Sequence, residues 1–189
     1  MFKLLLSFSF ASLLFSSSWG QATSFELTDS VIGKGAIYQM PELRYGTCPP
    51  RDGVDEPINI EYVDSLADFL KSQKELNIQI RVHTDSRGSA EMNLKYSQRN
   101  ADHLKIQLTQ RGVNEDRIQS LGLGEGEPRT VRVVDGKHFF HETPSWNTDK
   151  KIILTEEYIN KFRKTDKQLY EQLHQWNRRT EVVVVDIID

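Results

Sequence analysis

The sequence has one cysteine, Cys48, among 189 residues. A single thiol can neither close an intramolecular disulfide nor build a thiolate-rich metal cluster, which excludes a cystine-stapled fold. Basic excess is also lacking: 24 Lys and Arg stand against 27 Asp and Glu, for a formal net charge of −3. Nucleic-acid binders concentrate positive charge, so no nucleic-acid partner is expected. There is no G-x-S-x-G nucleophile elbow and no P-loop, and Gly122, Gly124 and Gly126 do not fit G-x-G-x-x-G. His138 and His141 lack the i, i+4 spacing of a helical metalloprotease pair. No catalytic residue, metal or cofactor is therefore assigned, and the chain is not expected to be an enzyme.

Long apolar runs are missing after residue 15. A bilayer-spanning helix needs roughly 20 apolar residues, so no transmembrane segment is expected in the mature chain. The start does carry a shorter run, MFKLLLSFSFASLLFSSSWGQA, with Lys3 before an apolar stretch over residues 4–15 and small residues near positions 20–22. This pattern predicts a signal peptide over residues 1–20, cleaved on export. No cysteine lies near the cleavage site, so a lipid anchor is not expected. The whole chain is 38% hydrophobic and 27% charged, ordinary for a globular protein and enough for one domain with a real core.

Hydrophobic periodicity organises the rest. Residues 23–36 show no clear period and are taken as an N-terminal extension; beyond residues 36–40 and Pro41, residues 42–45 are a short candidate strand. Residues 47–53, TCPPRDG, are dense in turn formers. Val63, Leu66, Ala67 and Leu70 fall at i, i+3, i+4 and i+7 and predict a helix from Glu61. Residues 77–82 alternate polar and apolar as a half-buried strand does. A second helix is predicted over residues 91–110, with Ala101, Leu104 and Leu108 on one face and Gly112 ending it. Residues 118–121 read as a short strand and 122–128 as a loop. Residues 129–151 fit no single pattern: His138 to His141 could be strand, insertion or lid. Residues 155–176 read as a helix broken near Thr165-Asp166, and TEVVVVDII as a strand buried on both faces. The alternation predicts an α+β fold, a sheet with helices packed on it.

His83-Thr84-Asp85, Gly88, Asn93, Ser97 and Ala101, followed by Asn177-Arg178-Arg179-Thr180-Glu181, resemble the signature of the OmpA-like C-terminal domain. Gly112-Val113 with Arg117-Ile118, and the stretch from Gly122 to Pro128, fit the same pattern. The resemblance covers residues 37–189, with an insertion at about 129–151 similar to the version common in Bacteroidota. It implies a β-α-β-α-β sandwich, a mixed sheet with helices on one face. It also implies a periplasmic module of a Gram-negative envelope that binds peptidoglycan through the diaminopimelate of its stem peptide. Outer-membrane or periplasmic proteins would be further partners. In that family an aspartate takes the ligand's ammonium and an arginine its carboxylate. By position these roles fall to Thr84, Asp85, Asn93 and Arg178.

One family position departs. The arginine of the Arg-Ala pair is replaced by Asn100, and Arg99 comes one residue early. At about 100° per residue Asn93 and Asn100 share a helix face, whereas Arg99 points towards solvent. The ligand's carboxylate could then be met by Arg178, by Arg87 or Arg99 in compensation, or by the amide of Asn100. A neutral hydrogen bond is about half as strong as a charge-assisted one, so weakened binding is expected. The alternative is a periplasmic protein–protein scaffold on the same fold. Asp85 could also cap the helix that follows it, and Asn93 could be a helix-start residue. Of Arg178 and Arg179, one is expected to face the site.

Overall fold

A computed structural model describes residues 24–43, 59–140 and 150–188. The predicted signal peptide, the turn-rich segment with Cys48, and His141 lie outside the described residues.

The main sheet is mixed. Strand β1 (Ile37–Met40) pairs antiparallel with β7 (Arg179–Ile187), β7 antiparallel with β2 (Leu76–His83), and β2 parallel with β3 (Ile118–Gly124). Parallel neighbours need a crossover, and the connection from β2 to β3 is the long helix α2 (Ala90–Gln110). Helix α1 (Glu61–Ser72) joins β1 to β2. This is the α+β sandwich expected, with α1 and α2 on one face.

Register explains the core. Ile78 lies opposite Val184 and Ile80 opposite Val182, so all four point to the helix side. They meet Val63, Leu66, Ala67 and Leu70 of α1, and Ala101, Leu104 and Leu108 of α2. The predicted apolar stripes are thus the buried ones. Val183 is buried on the opposite face, so the valine run is covered on both sides as its composition suggests. The segment before β1 joins in: Phe25 packs against Tyr38 and Phe69, with ring centroids 5.8 Å apart in each pair.

Strand β3 is longer than its sequence suggests. Gly122 and Gly124, read as loop formers, are strand residues. A Cβ on Gly122 would lie 2.0 Å from the Gln98 backbone nitrogen, so its role is close approach to α2 rather than turning. The gap is closed by hydrogen bonds: Gly122 N–H donates to Gln98 Oε1 (2.8 Å) and Gly124 N–H to Ser97 Oγ (2.8 Å).

The unreadable stretch becomes a second sheet. Strands β4 (Thr130–Val134), β5 (Lys137–Phe139) and β6 (Lys150–Ile153) run in the order β5-β4-β6, all antiparallel. Helices α3 (Glu156–Asn160) and α4 (Lys167–Asn177) pack on it around Val131, Leu154, Ile159 and Leu173. The helical stretch breaks where expected, because Asp166 caps α4 by accepting from Leu169 N–H at 2.9 Å. Asn177 ties this unit to the chain: it accepts from Arg129 N–H (2.9 Å) and donates to Leu154 O (2.8 Å).

Candidate functional site

The loop between β2 and α2 carries Thr84 and Asp85. Asp85 does not cap the helix; Ser89 does, accepting from Met92 N–H at 3.3 Å. Asp85 Oδ1 instead accepts from Arg87 N–H at 2.9 Å, closing an Asx-type turn that fixes the carboxylate. Thr84 N–H donates to Gly124 O (2.9 Å), holding the loop to the end of β3. The Asn93 amide donates to Asp85 O (3.1 Å) and to Glu125 Oε2 (2.6 Å). Asn93 is thus a helix-start residue that braces the loop.

Two guanidinium groups converge on Asp85. Arg87 Nη2 donates to Oδ2 at 2.7 Å, and Arg178 Nη1 donates to the same oxygen at 2.6 Å. Arg178 arrives from the other end of the domain, at the junction of α4 and β7. The Asp85 side chain is only 8% exposed, whereas Arg87 is 44% and Arg178 34% exposed. Burial pushes the Asp85 carboxyl up, but hydrogen bonds from the Arg87 side chain and backbone and from Arg178 outweigh it. The net effect holds Asp85 below the usual aspartate range.

Of the other site candidates, Asn100 is partly buried on α2, and its Oδ1 is enclosed without a hydrogen-bond partner. Arg99 lies beside Lys95, Gln98, Asp102, His103 and Ile106 on the outer side of α2. It is partly buried rather than fully in solvent. His138 Nε2 lies 2.7 Å from the Tyr158 hydroxyl, with its ring edge-on to Phe162.

Arg179 turns away from Asp85. Its Nε donates to Glu181 Oε1 at 2.6 Å, and its Nη atoms donate to Glu127 O at 3.2 Å. His83 Nε2 stands 3.4 Å from the other oxygen of Glu181. Burial raises Glu181, but His83 and Arg179 more than offset it and hold the carboxyl at about 2. Partly buried Arg129 completes this group, donating to Gln39 Oε1 (2.6 Å) and stacking over Phe140 at 4.2 Å. This polar cluster on the helix-free face of the sheet fastens the second sheet to the first.

Sequence patterning did not single out three acidic residues and a histidine around Asp85. Glu171 accepts from Arg87 Nη1 (3.0 Å), Glu42 lies 3.7 Å from Arg178 Nε, and Glu125 holds Asn93. His174 is buried, T-stacked on Tyr170 at 4.6 Å, with neither ring nitrogen bonded to a protein group. Burial, the largest influence on it, lowers its pKa. Glu171 and His174 lie at i and i+3 on α4, with Arg178 at i+7 just past its end, and that spacing is the signal which could have found the first two.

The OmpA family pattern matches residues 56–138. This stretch carries the Asp85 loop, α2 and β3, and is similar to OmpA-like domains. Outer membrane porin F of Pseudomonas fluorescens is 40% identical over 75 residues, 40% of this chain and 23% of that protein. The peptidoglycan-associated lipoprotein of Buchnera aphidicola is 34% identical over 74 residues, 38% of this chain and 43% of that protein. The chain therefore spans less than half the length of these two curated relatives. Among solved structures, the peptidoglycan-associated lipoprotein of Burkholderia pseudomallei is 21% identical with a TM-score of 0.41, covering 65% of this chain and 74% of that one. The periplasmic domain of Helicobacter pylori MotB is 15% identical with a TM-score of 0.42, covering 78% and 72%.

Proposed function

We propose that this chain is a nonenzymatic cell-wall tether, binding peptidoglycan noncovalently through the diaminopimelate of its stem peptide in the periplasm. The observation that carries this reading is the Asp85–Arg178 pair, 2.6 Å apart and built from two motifs 93 residues apart in sequence. A carboxylate beside a guanidinium matches a zwitterionic amino-acid head: the ammonium goes to Asp85 and the carboxylate to the remaining N–H groups of Arg178. One of the curated relatives named above is called peptidoglycan-associated, which supports the same ligand. Asn93 and Thr84 hold the loop that presents Asp85. Asn100 offers a neutral carbonyl and amide where a charge would bind more strongly. Arg87 lies at the pair and touches Asp85, whereas Arg99 lies along α2 beside Lys95 and His103. Outer-membrane or periplasmic proteins would connect the tether to the envelope.

Pull-down on diaminopimelate-containing sacculi, competed by free diaminopimelate, tests the proposal. Wild type should sediment with sacculi, and Asp85→Ala should lose at least about tenfold in affinity, the scale of a lost charge-assisted contact. Circular dichroism would confirm that the fold is kept. Asn100 favours a second reading, a protein–protein scaffold with a weakened wall site. That reading wins if wild type ignores sacculi and Asn100→Arg binds them.

A further inference from the structure

We propose that Arg87 is a built-in competitor for the ligand's ammonium, a guanidinium that must leave Asp85 before a ligand binds and that Glu171 is placed to receive. This rests on the peptidoglycan reading and specifies how that site is gated.

The acceptor capacity of Asp85 is fully used. Oδ1 accepts from Arg87 N and Nε, and Oδ2 accepts from Arg87 Nε and Nη2 and from Arg178 Nη1. A carboxylate has roughly four lone-pair positions, so these contacts use them all. An incoming ammonium brings three N–H donors and finds no free acceptor on Asp85. One guanidinium has to move.

Position decides which. Arg178 sits at the end of α4, its backbone N–H bonded to His174 O and its chain continuing directly into β7. Its alternative carboxylate, Glu42, is 3.7 Å away. Arg87 belongs to a loop, is the more exposed of the two, and already touches a second carboxylate. Its Nη1 donates to Glu171 Oε2 at 3.0 Å while Nε and Nη2 serve Asp85. Glu171 is 51% exposed, with room for the whole guanidinium to pair with it. Leaving Asp85 therefore costs Arg87 one partner of two, whereas the same step would leave Arg178 with only a longer contact. Ligands lacking a cation have nothing to offer Asp85 in exchange, so the gate also selects for an ammonium.

Such a competitor lowers apparent affinity by the fraction of molecules in which it is displaced. Full-length chain titrated with free meso-diaminopimelate in a calorimeter, and with sacculi by sedimentation, tests this. Arg87→Ala and Arg87→Gln should each bind about fivefold tighter than wild type, the scale of one partly exposed ion pair. Glu171→Gln should bind about twofold more weakly in wild type and change nothing in Arg87→Ala. Carboxyl NMR of Asp85 in the absence of ligand should show its titration midpoint rising in both Arg87 variants. If wild type binds and Arg87→Ala binds equally or more weakly, the gate is overturned while the wall-binding reading stands. If neither binds sacculi, both fail. An unmoved Asp85 midpoint overturns the pairing itself, whatever the ligand.

Discussion

Gly122→Ala is the sharpest test of how the site is built. The added methyl would lie 2.0 Å from Gln98 N, 2.4 Å from Gln98 Cα and 2.6 Å from Ser97 C. All three are helix backbone atoms, so no side-chain rotation relieves the clash. Ordinary contact begins at about 3.5 Å, which requires α2 and β3 to separate by about 1.5 Å. Overpacking of this kind costs about 1–3 kcal/mol. The separation also stretches the bonds from Gly122 N–H to Gln98 and from Gly124 N–H to Ser97, each worth about 1 kcal/mol. A loss of about 3–5 kcal/mol follows, or about 10 °C in melting temperature for a chain of this size. Thermal unfolding followed by far-ultraviolet circular dichroism reads it directly. Gly33→Ala is the control, since nothing lies within 4 Å of the place its methyl would take, and it should melt with wild type. If Gly122→Ala also melts within about 2 °C of wild type, the close helix–strand contact is refuted.

Two other perturbations probe the polar framework. Asn177→Ala removes the partner of both Arg129 N–H and Leu154 O, and should cost about 2–4 kcal/mol in urea unfolding. Hydrogen exchange at the Arg129 amide should accelerate with it, and an unchanged amide would contradict the assignment. Glu181, held at about 2 against an ordinary 4.5, contributes stability that is fully present above pH 4.5 and is lost as pH falls towards 2. Its share is on the order of 3 kcal/mol. Asp85, also lowered, acts in the same direction. Urea midpoints measured from pH 6 down to pH 2.5 should fall, and Glu181→Gln should flatten the fall; an equal slope in the variant would assign the acid sensitivity elsewhere.

Periodicity made the first core legible because the stripes at Val63, Leu66, Ala67 and Leu70 and at Ala101, Leu104 and Leu108 each face one sheet. The second sheet escaped because its strands are short and its apolar residues face a small core of four buried side chains. One local signal was present. Asp135-Gly136, with φ of 48° and 76°, is the two-residue hairpin turn between β4 and β5. Gly122 and Gly124 misled for a physical reason: a glycine needed for close approach and one needed for a turn look alike in sequence. At the site, Asp85 and Arg178 could be named from spacing, but their direct pairing could not. That contact depends on where α4 ends, and the course of the chain between β3 and α4 was not readable.

The motif residues divide by the work they do. Ser97 and Gly122 set the distance between α2 and β3, while Asn177 fixes α4 to the second sheet. Arg179 and Glu181 anchor the start of β7 on the face opposite the helices. Each of these constraints ends next to a residue of the pair: Ser97 holds Gly124, which holds Thr84 beside Asp85, and Asn177 precedes Arg178. A carboxylate and a guanidinium from distant segments stay 2.6 Å apart only if both supporting segments are fixed, because each loose segment adds conformational freedom that the pair must overcome. Spacing in the motif is therefore a record of the scaffold more than of the ligand. Asn100 fits this division: it occupies a partly buried position on α2 and takes no part in the hydrogen bonds that position Asp85 and Arg178.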